Sequence, residues 1–199
     1  MVIFSEYIMN IKKSWETYFF KKRNIMAYNK YKEPFENIFF ASMAEIDIEP
    51  LLKRIDLRFA NYLRMRKDNP AWVLFYFEMD NKILGYSFLH MPVQEEWNDS
   101  LPTNSGEARV STNFVYPEYR GKGILGEIAK CQIEYASEHD LNLWCVIENS
   151  NVPAMRATCK NAHIDRTNYL IKIMKRNVFS ILTNPFRVDL LLGEKRAKR

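Results

Sequence analysis

Val115-Tyr116-Pro117-Glu118-Tyr119-Arg120-Gly121-Lys122-Gly123-Ile124-Leu125-Gly126 is the stretch around which the whole chain can be read. Upstream of it, Glu107 to Tyr116 is rich in β-forming residues and is broken by Pro117, which reads as a strand. Downstream, Ile124, Leu125, Ile128, Cys131, Tyr135 and Ala136 recur at helical spacing and lie on one face. Between strand and helix, Gly121, Gly123 and Gly126 place three glycines in six residues, so the backbone can curl tightly. A helix that starts in such a turn directs its first unpaired N–H groups and the positive end of its dipole into it. The turn is therefore an anion site suited to phosphate, and Arg120 and Lys122 add charge that glycine alone does not supply.

Two competing phosphate motifs can be weighed by spacing. A Walker A loop needs G-x-x-x-x-G-K-[ST], but Gly121-Lys122 is followed by Gly123 and has no glycine at the required distance before it. Gly121, Gly123 and Gly126 do satisfy G-x-G-x-x-G, and Asp140 stands near the ~20-residue offset of a dinucleotide-binding unit. That fold, however, requires a mostly parallel sheet built from two mononucleotide halves, and the strands around this turn are hairpins in a chain too short for both halves.

Working outward, Ala71 to Met79 and Lys82 to Met91 are aromatic and β-branched runs separated by Asp80-Asn81, together a hairpin. Asn37 to Ser42 reads as a short strand, and Asp47 to Arg66 as a helix through Ile48, Leu51, Leu52, Ile55, Phe59, Tyr62 and Leu63. Residues 92 to 106 form a polar loop containing Pro92, Pro102 and Gly106. Leu141 to Ile147 is a strand, Val152 to Asn161 a short helix and Thr167 to Met174 another strand. At the start, Phe4, Tyr7, Ile8, Ile11, Trp15, Tyr18 and Phe19 predict an amphipathic helix over 3–22 with lysines on its polar side. Its apolar face would be covered by its own domain, by a second copy of the chain, which makes a homodimer an expectation, or by a membrane surface. The resulting class is α/β in the α+β sense: a mixed, mostly antiparallel sheet flanked by helices, with one parallel crossover between the strands at 107 and 141.

Val-x-Pro-x-x-Arg-Gly-x-Gly-Ile at Val115 to Ile124 resembles the acyl-CoA pyrophosphate signature of the GCN5-related N-acetyltransferase (GNAT) superfamily, and the order of elements is similar from about residue 36 to 175. The resemblance implies a splayed parallel strand pair whose gap takes the pantetheine arm. It implies that the main chain around Phe114 and Val115 pairs with that arm, and that the amides of Arg120, Gly121, Lys122, Gly123, Ile124, Leu125 and Gly126 cradle the pyrophosphate. In the second family motif Asn151 and Ala154 match, whereas Thr158 stands at the position of a Tyr, Ala162 at that of a Gly and His163 at that of a Phe. Leu125 also departs from the usual Gly or Ala. Many relatives use the missing Tyr to protonate the departing thiolate. Thr158 has a shorter arm and a far higher pKa, so it could at best hydrogen-bond the sulfur or a water. Asn151-Val152-Pro153 is similar to relatives that act on amino sugars, although Pro153 is equally at home in a first helical turn.

The implied activity is acetyl transfer from acetyl-CoA to a primary amine, an amino sugar or another small amine, by direct attack in a ternary complex. It needs an unprotonated amine, an oxyanion donor and a proton acceptor. Glu107, Glu148 and His90 are candidates for the acceptor, each against the competing role of a surface or hydrogen-bonded polar residue, and Thr158 completes the set of candidate catalytic residues. Gln94-Glu95-Glu96-Trp97 could offer an acceptor amine two carboxylates and an aromatic wall. His139 and His163, at a helix end and a turn, read as structural. A non-catalytic acyl-CoA sensor of the same fold is the alternative function.

The chain has 199 residues, 47% hydrophobic and 27% charged, enough apolar material for one domain with a real core and not for two enzymatic domains. The net charge of +5 raises the question of a nucleic-acid or anionic-membrane partner. Residues 1–32 alone carry a net +5 and residues 194–199 a net +3, leaving a net of −3 over 33–193, and no nucleic-acid-binding pattern accompanies the charge. The expected partition is thus a basic N-terminal extension (1–32), a GNAT body (33–176) and a C-terminal extension with a basic tail (177–199). Cys131, Cys145 and Cys159 form no CxxC pair and lie without a histidine cluster, so neither disulfides nor a metal site is expected, and all three are expected in the core. With Lys12, Lys13, Lys21 and Lys22 interrupting the richest apolar stretch and no leader pattern, a cytoplasmic protein without a membrane span is expected.

Overall fold

A computed structural model of the protein describes residues 20–28, 37–98, 101–160, 162–173, 176–184 and 187–192. In chain order the elements are β1 (Phe20–Tyr28), β2 (Ile38–Ser42), α1 (Glu49–Leu52), α2 (Leu57–Arg66), β3 (Trp72–Met79), β4 (Lys82–His90), β5 (Glu96–Asn98), β6 (Leu101–Thr103), β7 (Glu107–Val115), a 3₁₀ turn (Pro117–Tyr119), α3 (Ile124–Glu138), β8 (Asn142–Glu148), α4 (Val152–Thr158), β9 (Ala162–Ile173), β10 (Arg176–Asn184) and β11 (Arg187–Leu192).

The chain separates into two compact units. One comprises Tyr28–Glu96 and Thr103–Cys145, and the other Met1–Ala27, Trp97–Pro102 and Val146–Arg199. In the first unit the strand order is β8-β7-β4-β3-β2. β2, β3, β4 and β7 are successively antiparallel, and β7 pairs in parallel with β8 through Glu107–Val110 and Asn142–Cys145. The expected mixed sheet with one parallel crossover is what forms. The β3–β4 hairpin closes through Asp80 and Asn81, both with positive φ (50° and 60°), a pairing suited to the tight turn that matches strand twist.

One face of this sheet carries α1 and α2 over a core of Met43, Ile48, Leu51, Phe59, Leu63, Leu74, Ile83, Tyr86 and Phe88. The Phe59 and Tyr86 rings stack with centroids 3.7 Å apart. α3 packs against β2, β3, β4 and β7 and buries Ile124, Ile128, Cys131, Gln132, Ile133 and Ala136. Because α2 and α3 contribute buried contacts on opposite sides, β4 is buried without interruption from Ile83 to His90, which is why its sequence lacks polar alternation.

Several sequence expectations are corrected here. The helix expected over 47–66 is two helices, because Asp56 adopts extended backbone and its Oδ1 accepts from Phe59 N at 2.7 Å, capping α2 as a new start. The expected loop 92–106 contains the β5–β6 ribbon. Residues 20–22, expected at the end of the N-terminal helix, belong to β1, since the apolar helical spacing stops at Phe19 and Ile25 and Met26 are both buried in an extended run; residues 3–19 lie outside the described residues. In the second unit the strand order is β11-β10-β9-β1, with β10 paired antiparallel to both β9 and β11. His163, expected at a turn, lies in β9. No helix among the described residues is long and apolar enough to cross a membrane.

Candidate active site

The glycine turn is built at the end of β7. After the 3₁₀ turn, Gly121 (φ 79°) and Gly123 (φ 83°) occupy the left-handed region, and Gly123 caps α3. A Cβ on either would meet nothing within 4 Å, so backbone conformation and not space calls for glycine. At the edges of the turn the amides are used internally: Arg120 N donates to Pro117 O and Gly126 N to Gly123 O. The five amides between them, from Gly121 to Leu125, have no acceptor among the described residues. They open at the N-terminus of a 15-residue helix. Arg120 bends back, its Nε donating to Val115 O at 3.1 Å and its guanidinium 5.9 Å from the Phe114 ring centroid. Lys122 Nζ lies 5.2 Å from the Tyr119 ring centroid.

Gly85 in β4 makes this junction compact, and sequence reading passed over it. An added Cβ would sit 3.0 Å from Phe114 O, 3.1 Å from Val115 Cγ2 and 3.2 Å from Ile124 Cγ2. The signal available was a lone glycine inside a strand, the mark of close backbone approach.

The middle of β7 is irregular. Its register against β4 runs from Tyr86↔Phe114 to Phe88↔Ser111, so one extra β7 residue is accommodated, a β-bulge. Within it Thr112 has φ 56°, a conformation that costs a β-branched residue on the order of 1–3 kcal/mol. The parallel ladder with β8 ends just before it, at Val110–Cys145. Polar side chains hold the bulge from three elements. From α2, Arg66 Nη2 donates to Thr112 Oγ1 and Nη1 to Tyr62 O, both at 3.2 Å. From α3, the fully buried Gln132 Nε2 donates to Ser87 Oγ at 2.8 Å, and Ser87 in turn donates to Asn113 Oδ1. Sequence reading missed Arg66, Ser87, Thr112, Asn113 and Gln132, because a polar position on an otherwise apolar face can be recognised only once its partner is known.

His90 ends β4 at 1% exposure. Its Nε2 lies 2.9 Å from Glu96 Oε2, and its ring stacks on Trp72 at 4.4 Å. A carboxylate can only accept, so Nε2 carries the proton and Nδ1 presents a lone pair, which is buried without a hydrogen-bond partner among the described residues. Burial is the main cause that lowers the His90 pKa, with Arg109 and Arg66 acting the same way against the opposing pull of Glu96. Glu96 is thereby committed to His90 and is not a free carboxylate of the loop that precedes Trp97.

The other candidates sit elsewhere. Glu107 Oε2 accepts from Asn104 N at 2.8 Å, a local cap at the far end of β7, roughly 26 Å of strand from Val115. Glu148, Asn151 and Thr158 belong to the second unit: Glu148 is exposed at the end of β8, Thr158 is half-buried at the end of α4, and Asn151 Oδ1 caps α4 by accepting from Ala154 N at 3.3 Å. Pro153 falls in the first turn of α4, where a missing N–H costs nothing. His139 Nδ1 donates to Tyr135 O at 2.8 Å, a helix-end role. Cys131 and Cys145 are buried, and burial pushes the Cys131 thiol up to about 11, whereas Cys159 is exposed just past α4, contrary to the expected core position. No metal-ligating cluster occurs among the described residues.

Among solved structures the chain is similar to a putative acetyltransferase of the GNAT family from Novosphingobium aromaticivorans, with 14% identity and a TM-score of 0.54 over 75% of this chain and 62% of that one. It is similar to an acetyltransferase from the GNAT family of Colwellia psychrerythraea (14% identity, TM-score 0.52, 81% of this chain and 59% of that one). It is also similar to a functionally unknown conserved protein from Staphylococcus epidermidis (10% identity, TM-score 0.53, 80% and 64%). At such identities the likeness is one of fold, and the chain spans less than two thirds of the length of each. Comparison with curated proteins found no match. The sequence model of the acetyltransferase (GNAT) family matches residues 25–159, which take in β2 to α4, the bulge and the glycine turn. The chain belongs to the GNAT acetyltransferase family.

Proposed function

We propose that the protein transfers an acetyl group from acetyl-CoA to a primary amine. The observation that carries this reading is the row of five unbonded amides from Gly121 to Leu125 at the start of α3, a set of fixed donors that fits the pyrophosphate of CoA. Gly126 supports it from another side. A Cβ there would meet nothing within 4 Å and its φ is not positive, so the chain itself does not call for glycine and the space over the helix start is left open for a ligand. Phe114 and Val115, on the stretch of β7 beyond its parallel ladder, would pair with the pantetheine arm. Asn151 is assigned to the same cofactor by family resemblance alone.

In the reaction the amine nitrogen attacks the acetyl carbonyl carbon, a C–N bond forms, the C–S bond breaks, and the amine gives up a proton. Of the candidate acceptors, His90 has the chemistry that fits, and it stands opposite Arg109, about 20 Å of strand from Val115 and near the end of β7 that Glu107 occupies. Its buried Nδ1 lone pair is uncommitted among the described residues, Glu96 fixes the tautomer, and burial lowers its pKa, which favours the neutral ring that can accept a proton. The test is release of CoA thiol from acetyl-CoA against a panel of amino sugars, polyamines and peptide N-termini. Turnover with at least one class is expected, and it falls when His90 is replaced by Gln.

The second reading, an acyl-CoA sensor, is favoured by one observation: a threonine, Thr158, stands where relatives carry the tyrosine acid. Acetyl-CoA binding with no thiol release across the panel would select it.

A further inference from the structure

Arg66 is 9% exposed and has no carboxylate partner among the described residues. Its guanidinium lies in an aromatic cage, 4.3 Å from the Trp72 ring centroid, 4.5 Å from Phe88 and 5.2 Å from Tyr62. Burying a cation there carries a desolvation cost that only two neutral acceptors, Tyr62 O and Thr112 Oγ1, and three ring faces offset. For stability alone an unbranched apolar side chain would fill the same cage about as well, since replacing buried charge by packed hydrophobe is often neutral or favourable. What the apolar residue cannot supply is a donor to Thr112 from outside β7, where the Thr112 hydroxyl otherwise meets only the neighbouring Ser111 Oγ, at 3.2 Å, among the described residues.

Thr112 is the residue that needs holding. It carries a branched side chain at φ 56°, and it is the residue that gives β7 its extra length opposite Tyr86 and Phe88. Left to itself it would relax toward ordinary extended backbone and change the register of Ser111 to Phe114. The α3 side of the bulge, through Gln132, Ser87 and Asn113, grips the next residue and not this one.

We propose that Arg66 is a positioning residue: it pins Thr112 in the left-handed conformation and so sets the β7 bulge, and with it the main chain of Phe114 and Val115 that meets acetyl-CoA. The effect on the cofactor rests on the acetyl-CoA reading above; the pinning of Thr112 does not.

Glycine at 112 provides the test, because glycine adopts a positive φ at no steric cost and makes the pin unnecessary. Acetyl-CoA affinity is measured by calorimetry on the full chain for the wild type, Arg66→Met, Arg66→Lys, Thr112→Gly and the Arg66→Met/Thr112→Gly double variant, with thermal melts beside each. Arg66→Met is expected to melt cooperatively and to bind about tenfold more weakly, a cost of roughly 1.4 kcal/mol at that ratio. Arg66→Lys, which has one ammonium where two acceptors are served, falls between. The double variant returns to within about threefold of Thr112→Gly alone. Wild-type affinity in Arg66→Met, or a double variant as weak as Arg66→Met, overturns the proposal. If the wild type binds no acetyl-CoA, the functional reading falls and the pin is still read by hydrogen exchange at the Phe114 amide. Faster exchange in Arg66→Met that slows again in the double variant supports it, and unchanged exchange overturns it.

Discussion

The bulge in the middle of β7 and the glycine turn at its end use polar groups in opposite ways. In the turn, Gly121 to Leu125 leave consecutive amides unbonded, and the first three of these residues are exposed. In the bulge, Thr112 and Asn113 are held by Arg66 from α2 and by Ser87 and Gln132 from β4 and α3, three residues that are all buried. The turn keeps donors free for something outside the chain, while the bulge uses bonds inside the chain to maintain a backbone it would not otherwise adopt. On the proposed reading one strand carries both a place that binds and a place that positions, and substitutions should separate them.

The largest effect is expected where the two regions touch. Gly85→Val puts a branched side chain against Phe114 O, which is backbone and cannot rotate away, so β7 or α3 must shift. Overpacking of this kind should cost about 3 kcal/mol and lower acetyl-CoA affinity together with the melting temperature. A variant that melts like the wild type would show that the junction is looser than its contacts suggest.

Within the turn, two glycines can be set against each other. Gly123→Ala forces a Cβ into the left-handed region, at about 1–2 kcal/mol, and should lower both stability and affinity. Gly126→Ala meets no neighbour and lies in a helix, so melting should hold or rise slightly while affinity alone drops. If Gly126→Ala binds acetyl-CoA as tightly as the wild type, the pyrophosphate does not pass over that residue.

The same contrast explains what the sequence made legible. Gly121 and Gly123 announce a tight turn into a helix because its requirements are local: positive φ, small side chains and a helix start next to one another in the chain. The β3–β4 hairpin was legible through Asp80-Asn81 for the same reason. Arg66 and Thr112 are 46 residues apart, and Gln132 and Ser87 are 45, so nothing in either neighbourhood marks them as partners. His90 could be singled out as a titratable residue on a hairpin, but its role depends on Glu96 and Trp72 closing around it. The split of the 47–66 helix turned on one cap, Asp56, whose competition with a continuing apolar pattern is settled only by the packing of Phe59.

His90 offers a smaller, pH-dependent effect. Its folded-state pKa is lowered from 6.5, so in acid the unfolded chain takes up a proton that the folded chain resists. The stability this represents is fully present above about pH 6.5 and is lost as pH falls through that value toward the lowered folded pKa, with a slope of at most about 1.4 kcal/mol per pH unit from this group. His90→Gln should remove that slope between pH 7 and 5 in denaturant titrations. Glu96→Gln, by taking away the carboxylate that favours the imidazolium, should lower the His90 pKa further and carry the loss of stability to lower pH. A slope unchanged in His90→Gln would mean that other groups titrate there.

The smallest effect is expected at Arg120, and it discriminates most finely between turn and bulge. Arg120 is exposed, and its hydrogen bond to Val115 O ties two neighbouring pieces of main chain that Gly85 and Ile124 already hold together. Arg120→Ala should therefore change stability by less than about 0.5 kcal/mol. If its charge serves a bound phosphate, affinity for acetyl-CoA should still fall by about threefold at low salt. That deficit should shrink as ionic strength rises, because an exposed charge is screened over about 10 Å at 0.1 M. A deficit that does not move with salt would instead mark Arg120 as a staple on Val115, acting through the shape of β7 as the bulge residues do.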